Sequence, residues 1–240
     1  MSDLAAVLFD MDGTLVDTEG LWWRVTEELA ASLGHRLGPA DAPEVVGRAV
    51  EDTAAHLARV TGTTDPAAPA ALAEALGAAF LTRVEEGTPL RPGAQALLTA
   101  LEAEGVPFAL VSASPRTVVD SVTRGALGHV PFALTLSADD VARTKPHPEP
   151  YLAAAGLLGV PIEHCVAVED SPDGAASAEA AGCPLLVVPS LLPVPPSPRR
   201  RFADSLAEVD PPALRAWVTA ASAIAGPDRT APAPGCVREA

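Results

Sequence analysis

The sequence predicts an α/β fold, a doubly wound parallel sheet carrying a helical insert after its first strand, and three observations lead there. From Arg91 onward, short apolar runs alternate with stretches of helical spacing, as parallel strands joined by right-handed crossovers do. Between Asp17 and Thr88 only helical spacing is found. The first apolar run, Ala5-Ala6-Val7-Leu8-Phe9, closes on Asp10-Met11-Asp12-Gly13-Thr14, two carboxylates and a glycine that lets the chain turn. Open α/β sheets bind ligands at the carboxyl ends of their strands.

Taken in order, residues 21–33, 51–60 and 70–84 have helical spacing, the first two stopped by Gly34 and Gly62. They define an expected cap, residues 17–88, between the two parts of a core, residues 1–16 and 89–225. In the second part helices are expected at 93–104, 117–127, 148–158 and 173–181, and strands at 108–112, 132–137, 165–169 and 185–188. Residues 189–198 are proline-rich and read as extended, 211–224 fit a last helix, and 226–240 read as a disordered tail. Arg199, Arg200 and Arg201 read as a solvated surface turn.

The composition sets outer limits on function. A chain of 240 residues, 48% hydrophobic and 20% charged, can bury a sizeable core, and its 4% aromatic content makes that core one of Ala, Leu and Val. The net charge of -15 opposes binding to nucleic acid or to an anionic membrane. It leaves a small phosphorylated metabolite open, because screening over about 8 Å lets local cations dominate inside a pocket. Cys165, Cys183 and Cys236 have no CxxC or zinc-ligand spacing and read as reduced thiols. With no cationic leader and no bilayer-length apolar run, a cytoplasmic location is expected. Nothing in the sequence sets the oligomeric state.

Asp10 and Asp12 suit a hard divalent cation and a nucleophile, and also suit a plain acidic turn. A calcium loop of the EF-hand type does not fit, because Gly13 directly follows Asp12. Ser112 ends a predicted strand and precedes Ala113-Ser114, where backbone N–H groups and a helix start suit phosphate oxygens; alone it is equally a turn residue or helix cap. Lys145, the only lysine of the chain, sits in the proline-flanked loop Arg143-Thr144-Lys145-Pro146-His147-Pro148. Glu169-Asp170 closes another strand with adjacent carboxylates, which repel unless a cation lies near. A helix cap would explain Asp170 and leave Glu169 without a reason.

In this order Asp10-x-Asp12-Gly13-Thr14, Ser112, Lys145-Pro146 and Glu169-Asp170 resemble the four motifs of the haloacid dehalogenase-like hydrolases. Asp17-Thr18-Glu19 and Lys145-Pro146-His147-Pro148-Glu149 resemble the subgroup of β-phosphoglucomutases and small-molecule phosphatases, and the likeness extends to Val188. The resemblance implies a Rossmann-like core, an inserted helical cap and Mg2+-dependent phosphoryl transfer through an aspartyl-phosphate. It makes Asp10 the nucleophile and Asp12 the general acid and base. Ser112 and Lys145 would hold the phosphoryl group, and Asp10, Glu169, Asp170 and the Asp12 backbone carbonyl the Mg2+. A carboxylate at Asp12, usually lacking in the family's dehalogenases, points to phosphate.

Three departures favour hydrolysis over the mutase reaction. Trp22 stands where the mutases have a cap histidine, Val50 aligns with their cap arginine with Arg48 two residues earlier, and Pro115 replaces a lysine for the distal phosphate, leaving Arg116 as its substitute. The expected protein is therefore a phosphatase of a small phosphomonoester, with a phosphosugar mutase as the alternative and a non-catalytic binding protein as the reading of a different class. Ala113, Ser114, Arg116, Arg48 and Trp22 are expected to face substrate. Trp22 and Trp23 cannot both do so, since adjacent helical residues point apart.

Overall fold

The apolar runs form six strands: β1 (Ala6–Phe9), β2 (Phe108–Val111), β3 (Leu134–Leu136), β4 (Cys165–Glu169), β5 (Leu185–Val187) and β6 (Arg200–Phe202). The structure, a computed structural model, describes residues 4–225; the expected tail and Cys236 lie outside the described residues. The sheet order is β3-β2-β1-β4-β5-β6 with every pair parallel. β1 is central, with Phe9 opposite Leu110 on one side and Val168 on the other. The chain leaves β1 for β2 on one flank and returns to β4 on the other, which makes the end of β1 the topological switch point. Asp10, Ser112 and Asp170 each follow directly on a strand and so emerge at one edge.

Side chains alternate between the two faces of the sheet. Val7, Phe9, Phe108, Leu110, Val166 and Val168 belong to one buried cluster, and Ala6, Leu8, Ala109, Val111 and Ala167 to the other. Helices α1 (Thr18–Ser32), α2 (Ala42–Val45), α3 (Val50–Val60) and α4 (Ala68–Glu86) fill the insert, around a cluster of their own that includes Val25, Ala30, Leu57 and Leu76. The segments entering and leaving the insert are tied together, with Asp17 N–H donating to Pro89 O and Arg91 N–H to Leu15 O. The core helices are α5 (Ala94–Ala103), α6 (Arg116–Arg124), α7 (Glu149–Leu158), α8 (Pro172–Ala180) and α9 (Pro211–Ala225). Among the described residues no helix is long and apolar enough to cross a membrane.

Two expectations are corrected. The arginine run is an exposed turn only at Arg199: Arg200–Phe202 is the edge strand β6, where Arg201 stays exposed and the Arg200 guanidinium reaches Glu179 and the Pro195 carbonyl. An edge strand pairs through its backbone, and charged side chains there discourage sheet-to-sheet association, so it need show no apolar alternation. The strand expected over residues 132–137 is Leu134–Leu136, because Phe132 packs edge-on against Phe108 and Ser137 caps a short 3-10 turn.

Candidate active site

Lys145 reaches the sheet edge from the loop before α7 and is buried with its charge fully paired. Its ammonium has three hydrogens and three acceptors: Asp10 Oδ1 at 2.6 Å, Glu169 Oε1 at 2.6 Å and the Val111 carbonyl at 2.8 Å. Burial would lower its pKa, but Asp10 and Glu169 outweigh burial and hold it above the ordinary lysine value.

Asp10, Glu169 and Asp170 are buried, and each offers an oxygen within 4.8 Å of the others. Asp10 Oδ2 has no hydrogen-bond partner. Three carboxylates against one ammonium leave two negative charges, the deficit a divalent cation fills. Without one, burial raises the Asp10 carboxyl, helped by Glu169 and Asp12 and opposed by Lys145. Asp170 is raised likewise by burial and then by Asp10 and Glu169. The donor set, its charge and the unpartnered oxygen fit a hard cation.

Two glycines make this crowding possible. A Cβ on Gly174 would sit 2.0 Å from the Glu169 carboxyl, and one on Gly13 2.1 Å from Asp170 Oδ2, where the backbone φ of +79° already favours glycine. Glu169 is enclosed on all sides. Its Oε1 accepts from Lys145 and from the Tyr151 hydroxyl at 2.5 Å, and its Oε2 from Ser171 Oγ at 3.2 Å and Asp170 N–H at 3.3 Å.

Asp12 is held by three hydroxyls. Thr18 Oγ1 donates to Oδ1 at 2.7 Å, and Ser112 Oγ and Ser114 Oγ donate to Oδ2 at 2.9 and 2.8 Å. Ser114 N–H donates in turn to Ser112 Oγ. Thr18 opens α1, so the first turn of the insert is tied to Asp12.

The fold thus brings together Asp10, Asp12, Ser112, Ser114, Lys145, Glu169 and Asp170, with Ala113 exposed beside the serines. Two residues expected to face substrate are engaged within the protein. Arg116 turns back along the sheet edge, where its guanidinium donates to Thr135 Oγ1, the Thr135 carbonyl, Asp120 and Asp140. Trp22 is a packing residue: its Nε1–H donates to Val45 O at 3.0 Å and its ring meets Phe80 edge-on at 5.4 Å. Arg48 is exposed, with Nε donating to Pro43 O.

Sequence reasoning assigns no role to three residues here: Thr18 and Glu19, quoted only within the motif Asp17-Thr18-Glu19, and Tyr151. Glu19 Oε2 is buried without a partner, and burial, then Asp12, push its carboxyl up to about 6. The available signal for Tyr151 was that it is the only tyrosine of the chain, six residues after the only lysine.

The chain belongs to the haloacid dehalogenase-like hydrolases, whose family model matches residues 4–182. Within them it sides with the small-molecule phosphatases and is a phosphoric monoester hydrolase. Hexitol phosphatase B of Escherichia coli K12 is 32% identical over 188 residues, covering 78% of this chain and 84% of that protein. The crystal structure of CbbY from Rhodobacter sphaeroides in complex with phosphate superposes with a TM-score of 0.72 at 29% identity, covering 88% of this chain and 98% of that one. A mutant of CbbY, solved in complex with xylulose-1,5-bisphosphate, has a TM-score of 0.72 at 28% identity and the same coverage, 88% and 98%.

Proposed function

We propose that the chain is a Mg2+-dependent phosphatase of a sugar or polyol phosphate, working through an aspartyl-phosphate at Asp10. The observation that carries this reading is Asp10 itself, at the switch point of the sheet, with one oxygen held by Lys145 and the other unpartnered. A carboxylate needs no base to become a nucleophile. Its oxygen attacks phosphorus as the bond to the leaving oxygen breaks, and Asp12 gives that oxygen a proton. Asp12 then takes a proton from water, which attacks the same phosphorus and releases Asp10. Lys145, Ser112 and the Ser114 N–H oppose charge on the transferring group. Asp10, Glu169, Asp170 and the Asp12 backbone carbonyl would hold Mg2+, which supplies neutralisation of the phosphoryl oxygens when bound.

The printed activities of the relatives, a hexitol phosphatase and a protein crystallised with a sugar bisphosphate, support a hydroxylated phosphomonoester. Hydrolysis is preferred to mutation because Arg116 is engaged elsewhere and Trp22 is packed inside the insert. The buried free thiols Cys165 and Cys183 support a reducing, cytoplasmic setting.

The test is phosphate release from p-nitrophenyl phosphate and from a panel of hexitol, sugar and sugar bisphosphate esters. Release should require Mg2+, stop with EDTA and vanish in Asp10→Asn. Conversion of β-glucose 1-phosphate to glucose 6-phosphate without free phosphate would establish the mutase instead. Binding without turnover of any ester would establish the non-catalytic reading.

A further inference from the structure

The single tyrosine and the single lysine of this chain meet on one oxygen of one carboxylate. Tyr151 is fully buried on α7, its hydroxyl 2.5 Å from Glu169 Oε1, while Lys145 Nζ is 2.6 Å from the same atom and 5.2 Å from the centre of the tyrosine ring. Four donors restrain the Glu169 carboxylate, Lys145 and Tyr151 closely on Oε1, and Ser171 Oγ and Asp170 N–H at 3.2 and 3.3 Å on Oε2. We infer that Tyr151 is a positioning residue: it fixes the Glu169 carboxylate, and Glu169 so fixed aims the Lys145 ammonium at Asp10 and at the incoming phosphoryl group.

Neighbouring acceptors compete to set the position of the ammonium. Lys145 has a flexible four-carbon stem, and its ammonium stays on Asp10 only while its other two acceptors are rigid. The Val111 carbonyl is fixed by the sheet; Glu169 is a side chain and needs its own restraint. The phenol supplies a short charge-assisted hydrogen bond, and its ring face lies under the ammonium.

The kinetic part of the test rests on the proposed phosphatase activity; the spectroscopic part does not. With isotope-labelled lysine the whole chain gives a single side-chain ammonium resonance in NMR. In the native protein it should show slowed hydrogen exchange. Tyr151→Phe, which keeps the ring, should shift that resonance and speed its exchange, while kcat falls about tenfold to a hundredfold and KM changes less. Glu169→Gln should move the resonance further. Freely exchanging ammonium in the native protein, or a Lys145 signal unmoved by Tyr151→Phe, overturns the inference. If Tyr151→Phe does not fold, native exchange and Glu169→Gln decide. A chain that releases phosphate from nothing would refute the phosphatase reading and leave this one standing.

Discussion

At the carboxyl edge of the sheet the charged side chains are fixed by neighbours contributed from several strands and loops. In the insert, helices lie on one another through Ala, Leu and two tryptophans, and the ion pair of longest reach, Arg83 with Glu28, is exposed. Lys145 is held by Asp10, Glu169 and Val111, from three separate parts of the chain, whereas Arg48 touches only Pro43, five residues away, among its described contacts. The contrast teaches where each half of the function resides. Chemistry needs sub-ångström placement, and on the proposed reading it is built on the sheet, with choice of substrate assigned to the packed helices.

The comparison breaks first at Asp10. Asp10→Asn should lower kcat on p-nitrophenyl phosphate by on the order of 10⁴ without lowering the melting temperature, because it removes one of the crowded carboxylates. A folded variant that keeps its rate refutes the placement of chemistry on β1. Next comes Gly174→Ala, which drives a methyl into the Glu169 carboxyl and should cost about 3 kcal/mol in denaturant unfolding. Trp22→Ala, in the insert, should cost about 2 kcal/mol through lost packing. Its kcat on the small chromogenic ester should suffer far less than in Asp10→Asn, and equal losses would mean that Trp22 faces the site after all.

The metal makes a further contrast. Without a cation, burial and mutual repulsion raise Asp10 to about 8 and Asp170 to about 9, against about 4 in the unfolded chain. Between those values the folded state binds more protons, so this contribution is complete below pH 4 and is lost as pH rises through 8 and 9. In EDTA the melting temperature should therefore fall from pH 6 to pH 9, and saturating Mg2+ should flatten the fall. An identical profile with and without Mg2+ would deny the cation site. The smallest effect belongs to Gly77→Ala in the middle of α4, where an added Cβ meets nothing within 4 Å; helix propensity predicts a gain of about 0.5–1 kcal/mol. The same substitution thus changes sign between core and insert.

These contrasts follow what could be read in advance. The strands carrying Asp10, Ser112 and Glu169 were legible because a buried parallel strand is a nearly uninterrupted apolar run that stops abruptly at a polar group. β6 was not, because an edge strand of Arg200, Arg201 and Phe202 has no such run. The partners of Arg116 are hidden from the sequence for a related reason. Sequence proximity puts it beside Ser114, but only the fold brings Thr135 and Asp140 to take its guanidinium. Tyr151 went unread because its meaning lies in Glu169, eighteen residues on and across the sheet. Asp10, Ser112 and Glu169 are marked by the ends of their strands, whereas Lys145, on a loop, and Tyr151, inside a helix, carry no such mark.

The central claim is that Asp10 takes the phosphoryl group from the substrate. Acid-quenched single turnover with Mg2+ and a slow phosphomonoester, followed by peptide mass mapping, tests it directly. The account predicts one phosphoryl group on the peptide containing Asp10 and none in Asp10→Asn. Phosphate carried by any other residue, or turnover with no covalent adduct at any time point, would contradict it.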